Sequence, residues 1–178
     1  MNVILSLMLA LMPATSPLKQ LRDLVSQTQE NLSVSTRELR NAPTVVTLDN
    51  RYLRLTAYPW RDFNPGSGGL NGTPMMVALK VASADKQRLP NGLRMDRAWV
   101  LFNEEMWEVP NLRERKAGQD QDKDSFVNCS NSPACEFTLR EGPKWGPGVY
   151  VDVIVRLTDS EGQHHFLQAP HQYVLRTD

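Results

Sequence analysis

Charge of one sign is missing in excess: Lys and Arg total 20 against 20 Asp and Glu in this 178-residue chain. No overall field therefore draws it to nucleic acid or to an anionic membrane, and no nucleic-acid partner is expected. Cysteine is nearly absent, with two residues, Cys129 and Cys135. They bracket Ser130-Asn131-Ser132-Pro133-Ala134, a turn-rich loop that a disulfide closes easily, and an even count in an exported chain favours that bridge. The spacing is too wide for a zinc knuckle, and no second Cys or His pair lies nearby. Histidine occurs three times. His164 and His165 are adjacent and point to opposite faces of a strand, so at most one of them could join His171, and no metal site is expected. There is also no Gly-x-Ser-x-Gly turn and no pair of carboxylates in an acid and base setting, so no catalytic residues and no cofactor are assigned.

Long apolar runs are lacking too. Val3-Ile4-Leu5-Ser6-Leu7-Met8-Leu9-Ala10-Leu11-Met12 is too short to span a bilayer and suits the core of a signal peptide, with Pro13-Ala14-Thr15-Ser16 as a cleavage region. No Lys or Arg precedes the run, which a start codon placed too far downstream would explain. Residues 1–16 are thus expected to be a signal peptide, with export to the periplasm, the envelope or the outside and no membrane span after its removal. No Cys follows the run to take a lipid. Residues 17–43 read as an amphipathic helix and a linker. Ser16-Pro17 caps the helix, Leu18, Leu21, Leu24, Val25, Thr28 and Leu32 make its apolar face, and Ser, Thr, Arg and Asn dominate from Ser33 to Pro43.

What is abundant is strand alternation. After Trp145-Gly146-Pro147-Gly148, residues Val149, Val151, Val153, Val155 and Leu157 fall at every second position and mark a buried central strand. Asp159 to Gly162 turns it into a hairpin. Upstream, Val45 to Leu48, Tyr52 to Tyr58, Met75 to Ser83, Met95 to Phe102, Glu105 to Val109 and Glu136 to Arg140 read as strands, and Gln172 to Arg176 closes the chain as the last. Pro110 to Asp124 reads as a polar surface loop. Within it Asp120, Asp122 and Asp124 alternate like the first ligands of a calcium loop. Ser125 stands where the bend needs Gly and Asn131 where a bidentate Glu belongs, so a solvated charged loop is the better account.

About eight or nine strands joined by turns favour an antiparallel β-sandwich over residues 44–178. Through Gly148-Val149-Tyr150-Val151-Asp152-Val153 and Leu157-Thr158-Asp159-Ser160-Glu161-Gly162, the domain resembles the immunoglobulin or fibronectin type III class. The resemblance implies a fold alone, and Cys129 and Cys135 are too close together for the inter-sheet bridge of antibody domains.

One stretch stands out as a binding candidate: Tyr58-Pro59-Trp60-Arg61-Asp62-Phe63-Asn64, in a loop rich in Pro and Gly. Trp60 and Phe63 could stack on a sugar or anchor a peptide while Arg61 and Asp62 supply directional hydrogen bonds. The competing reading makes Trp60 and Phe63 a cap on the sandwich end, tied down by the charged pair. Trp99 and Trp107 are assigned to the core or its border by their strand positions, and Trp145 to the flank of the central strand. The resulting expectation is an exported, noncatalytic binding or assembly module with a protein or glycan partner. The alternatives are an exported hydrolase or its accessory subunit, which a deep polar cleft holding a Ser or carboxylate within reach of a His would signal, and a carbohydrate-binding module, which a flat row of exposed Trp or Tyr rings would signal.

Overall fold

A computed structural model describes residues 34–66, 69–114 and 125–178. The apolar run, the helix expected over 17–32 and the Asp120, Asp122 and Asp124 loop lie outside the described residues. The unit from Ser35 to Asp178 is mainly β, with two sheets. Its elements in chain order are α1 (Thr36–Arg40), β1 (Val46–Leu48), β2 (Arg51–Asp62), β3 (Met75–Ser83), β4 (Arg94–Phe102), β5 (Glu105–Val109), β6 (Arg113–Glu114), β7 (Ser125–Asn128), β8 (Ala134–Gly142), β9 (Tyr150–Thr158), β10 (His164–Tyr173) and β11 (Leu175–Thr177). Sheet A runs β1-β2-β3-β8, and sheet B runs β10-β9-β4-β7-β6 with β5 also on β4. All pairings are antiparallel except that of β11 with the end of β2.

Strand alternation places the core between the sheets. Leu53, Leu55 and Ala57 of β2 and Met75, Val77, Leu79 and Val81 of β3 meet Val151, Val153, Val155 and Leu157 of β9 in one hydrophobic cluster. β9 is central in its sheet, as its valine repeat demands, between β10 and β4. The β1–β2 turn puts Asp49 and Asn50 at φ 48 and 59, the left-handed pair that a tight hairpin requires and that these two residue types tolerate best. In the β9–β10 hairpin Asp159 Oδ1 accepts from the N–H groups of Glu161 and Gln163, and Gly162 sits at φ 81. Cys129 and Cys135 are bridged and buried, closing the β7–β8 turn.

Three sequence expectations are corrected. The linker assigned up to residue 43 contains α1, held by a capping box in which Ser35 Oγ accepts from Glu38 N and the Glu38 carboxylate accepts from Ser35 N. Its Leu39 is 1% exposed. The surface loop expected from Pro110 contains β6 and the buried Leu112, because two residues pair with β7 and pull the chain inward. The strand expected to stop at Tyr58 continues to Asp62. Pro59 is accommodated because, between its β1 and β11 pairings, β2 has a stretch with no strand on one edge, where a missing N–H costs no ladder bond.

Candidate functional site

Trp60, Arg61, Asp62 and Phe63 do not form one loop surface. The first three belong to β2, where alternation sends neighbouring side chains to opposite faces. Arg61 points inward and is 4% exposed. Its guanidinium donates to the carbonyls of Thr73 at 2.9 Å and Lys144 at 3.0 Å, and also to those of Asn71 and Gly146. Burial pulls its pKa below the usual value, yet four carbonyl acceptors suit a cation that stays charged. Arg61 thus ties the 69–74 segment and the 144–146 turn to the end of β2. Phe63 lies between two cations, Arg61 at 4.9 Å and Arg176 at 4.5 Å from its ring centroid. Gly72, at φ 64, passes so close that a Cβ there would stand 2.8 Å from that ring. Asp62 Oδ1 accepts from Asn64 N at 2.9 Å, shaping the turn that leaves the strand.

Trp60 and, two residues on, Asp62 share the outward phase of β2. Trp60 belongs to a row on that strand, Tyr52, Arg54, Thr56, Tyr58 and Trp60, whose alternate neighbours face inward. Tyr52 is 58% and Tyr58 57% exposed, and the Tyr58 and Trp60 ring centroids are 6.4 Å apart at 50°. Across the sheet, Tyr58 lies beside Ala78 and then Thr138, while Trp60 lies between Leu175 and Met76. Arg140 contacts Met76 Sδ at 3.7 Å. Ala78, between Tyr58 and Thr138, and Ala82, between Arg54 and Ala134, are small side chains on this face. Lys80 and Glu136 pair at 2.7 Å with both side chains more than half exposed, a contact of little energetic weight. Ring faces, a thioether and small side chains make a surface that accepts the flat apolar side of a sugar or a peptide side chain.

The outer face of sheet B carries a different arrangement. A β-bulge between Met95 and Arg97 turns Asp96 into the structure, where it is 5% exposed. Asp96 Oδ1 accepts from Arg156 Nε at 2.7 Å and Oδ2 from Thr158 Oγ1 at 2.6 Å. Thr158 Oγ1 also lies 3.0 Å from His164 Nδ1. Because the Thr158 proton goes to the carboxylate, His164 donates from Nδ1, and its Nε2 is left unprotonated in the neutral ring. Burial, followed by the nearby Arg156, lowers the His164 pKa and favours that neutral ring. This chain does not make a nucleophile, since Thr158 is fully buried and its oxygen already has two partners. Its effect is to lock the bulge to β9 and β10. Composition did not single out Asp96, but the inward phase changes from Met95 to Ala98 and Val100, and that one-residue slip is the sequence signature of a bulge.

The other histidines are separate. His165 Nε2 lies 2.8 Å from Asp159 Oδ2, a contact that is the first cause of the lowered Asp159 pKa. His171 is exposed beside Asp152. Among the described residues no group of three or more His, Cys, Asp or Glu could hold a metal ion, and no helix is long and apolar enough to cross a membrane. Trp145 donates to Glu105 Oε2 at 2.8 Å and packs 5.5 Å from Phe102, between the ends of β4 and β9. No protein-family model and no curated protein matches this chain.

Proposed function

We propose that this chain is an exported, noncatalytic binding or assembly module that presents the outer face of sheet A to a protein or glycan partner. The observation that carries the reading is the single row of Tyr52, Tyr58 and Trp60 on one strand, with both tyrosines more than half exposed. Exposed aromatic rings gathered on a rigid sheet are costly to leave in water and are the groups that dominate binding energy when a partner covers them. A glycan-binding version of the module is favoured where partner rings stack directly on Tyr58 and Trp60. The immunoglobulin-like assignment belongs to the same proposal. It is supported by two sheets around one core with short turns, while the parallel β11–β2 pair is a feature any such assignment has to accommodate. The hydrolase alternative loses support because the Asp96, Thr158 and His164 chain has its hydroxyl buried and fully engaged.

Export is supported by the Cys129–Cys135 bridge, which suits an oxidising compartment, and by the apolar run at residues 3–12. Intact mass of the protein recovered from an exporting host should show a start near Thr15 and loss of two hydrogens. Retention of Met1 with two free thiols would overturn the export part. For binding, capture from a native envelope fraction and a glycan panel should both be run with wild type and with the Tyr58→Ala/Trp60→Ala double variant. A partner retained equally by both removes the aromatic face from the account.

A further inference from the structure

Most strand edges of this domain are covered or cut short. On the free side of β10 the Gln168 N–H donates to Pro43 O at 2.9 Å, and beyond it Pro170 and His171 bulge out of the ladder. β1 and β11 are three residues each, β6 is two, and β5 is five and runs into Pro110. The stretch of β2 between its β1 and β11 pairings carries Pro59. Short length, proline and bulges are the devices that keep sheet edges from pairing with another chain. β8 is the contrast. It is nine residues long and pairs with β3 on one side, and among the described residues no strand pairs with its other side.

This open edge is regular and held at both ends. Its start is fixed by the Cys129–Cys135 bridge, and its end passes Trp107 so closely that a Cβ on Gly142 would stand 2.5 Å from the ring. The register with β3 is unbroken from Ala134 to Leu139, and the one extra residue of β8 falls after it, where Glu141 takes φ 62. Phe137, on the core side, is only partly buried, as a large side chain with no strand beyond it must be. On the outer face Glu136 and Arg140 stand two residues before and two after Thr138. The Glu136 side chain is 64% exposed beside Lys80. Arg140 is exposed, touches Met76 Sδ at 3.7 Å and has no ion pair among the described residues.

A row of one charge would repel a second copy of the strand, whereas one charge of each sign about a central threonine is self-complementary. With two β8 strands antiparallel about a two-fold axis through Thr138, Glu136 of each copy stands opposite Arg140 of the other, Thr138 opposite Thr138, and Phe137 opposite Leu139. Opposite charges and paired threonines directly across antiparallel strands are favourable, and the axis makes each charge contact twice. An axis through Phe137 or Leu139 brings no opposite charges together, and one through Glu136 or Arg140 sets like charges face to face. We infer that β8 pairs with β8 of a second copy of this chain, joining two A sheets into one across an axis at Thr138. β3 lies between this seam and the rings of β2, so the pairing does not rest on the aromatic face, and either can fail alone.

The test is sedimentation of the disulfide-bonded protein from micromolar to millimolar concentration. A reversible dimer with a micromolar dissociation constant is expected, weaker at high salt because its two charge pairs are exposed. Glu136→Arg and Arg140→Glu should each weaken self-association about tenfold or more, since the axis counts every reversal twice and sets like charges opposite. An equal mixture of the two variants should restore a dimer with one copy of each, because every cation then meets a carboxylate. Both positions are exposed, so the variants should melt close to wild type, and Tyr58→Ala/Trp60→Ala should associate as wild type does. A monomer throughout the range, a dimer undisturbed by either reversal, a mixture no more associated than its components, or a dimer lost with Tyr58 and Trp60 would each overturn the pairing.

Discussion

The outer faces of the two sheets are built on the same alternation and end differently. On sheet B the outward positions include Trp99, Leu101 and Ile154, 1%, 1% and 0% exposed, although none belongs to the core between the sheets. On sheet A the outward positions of β2 are Tyr52, Arg54, Thr56, Tyr58, Trp60 and Asp62, and four of these six are exposed. On sheet B the Trp99 ring packs 5.7 Å from that of Phe166 on β10, and α1 lies beside the same strand. α1 is anchored at its C-terminal end, where the Gln168 side chain of β10 donates to Arg40 O and Ala42 O and Arg40 donates to Asn103 O of the β4–β5 turn. Its Leu39 is buried, and Gln168, which holds it, is the register partner of Ile154. Among the described residues nothing equivalent covers sheet A. A face that brings its own cover is structural, and a face of rings left open is where a partner is to be sought.

The sharpest way to break this contrast is to place a charge on each outer face. Ile154→Asp should unfold the domain or cost several kcal/mol, because it buries an unpaired carboxylate, and the whole stability of a domain this size is about 5–15 kcal/mol. Thr56→Asp, outward on sheet A and exposed, should change stability by less than about 0.5 kcal/mol. Urea unfolding of both would decide it, and similar midpoints would mean that the face of Ile154 is not covered. Val153→Asp in the shared core should be at least as damaging as Ile154→Asp, while Asp152→Asn should be mild.

The cover itself gives the next effect. Leu39→Ala should cost about 2–4 kcal/mol, the usual loss for a fully buried large side chain. Ser35→Ala, which removes the cap, should cost about 1 kcal/mol. A Leu39→Ala protein as stable as wild type would show that α1 does not hold the sheet B face closed.

These two regions also differ in how far they could be read in advance. Long alternating strands were legible: β3 and β5 begin and end where the pattern places them, and the valine repeat of β9 is buried as expected. So was the Cys129–Cys135 bridge. α1 was not, because Ser-Thr-Arg-Glu inside a polar stretch reads as linker by composition, and the buried helix shows only as the capping-box spacing and a single Leu39. Ile154, in an outward phase, carried the complementary hint, since an apolar residue there needs a cover. The Trp60 to Phe63 group misled for a physical reason. Pro59 reads as a strand end, whereas at an edge without a partner it is tolerated, and the strand then divides the four side chains between two faces.

A smaller contrast is set by pH. The His164 pKa is lowered, first by burial and then by Arg156, with Arg94 and Arg97 adding and Asp96 opposing. A histidine depressed in the fold binds fewer protons there than in the unfolded chain. Its stabilising contribution is complete above the unfolded value of 6.5 and is lost as pH falls through the lower folded value. Stability measured from pH 7 downward should therefore decline more steeply in wild type than in His164→Gln. Parallel slopes would show that the ring is not held neutral by the sheet B network.

The smallest expected change in stability falls on sheet A, and it is the one that ties the open face to function. Tyr58 is more than half exposed, and Trp60 borders it with rings 6.4 Å apart, so removing both should lower stability by no more than about 1 kcal/mol. The same double variant should lose about 2 kcal/mol or more of partner affinity, since rings that contribute little to the fold are free to contribute to a complex. Arg61→Ala makes the control on the neighbouring position. It leaves four carbonyls without their donor and should destabilise strongly, with affinity falling only as far as folded protein is lost. Melting and binding measured together on both variants separate the two sides of β2. A large stability loss on removing Tyr58 and Trp60, with affinity per folded molecule unchanged, would make this face structural like its counterpart and erase the contrast between the sheets.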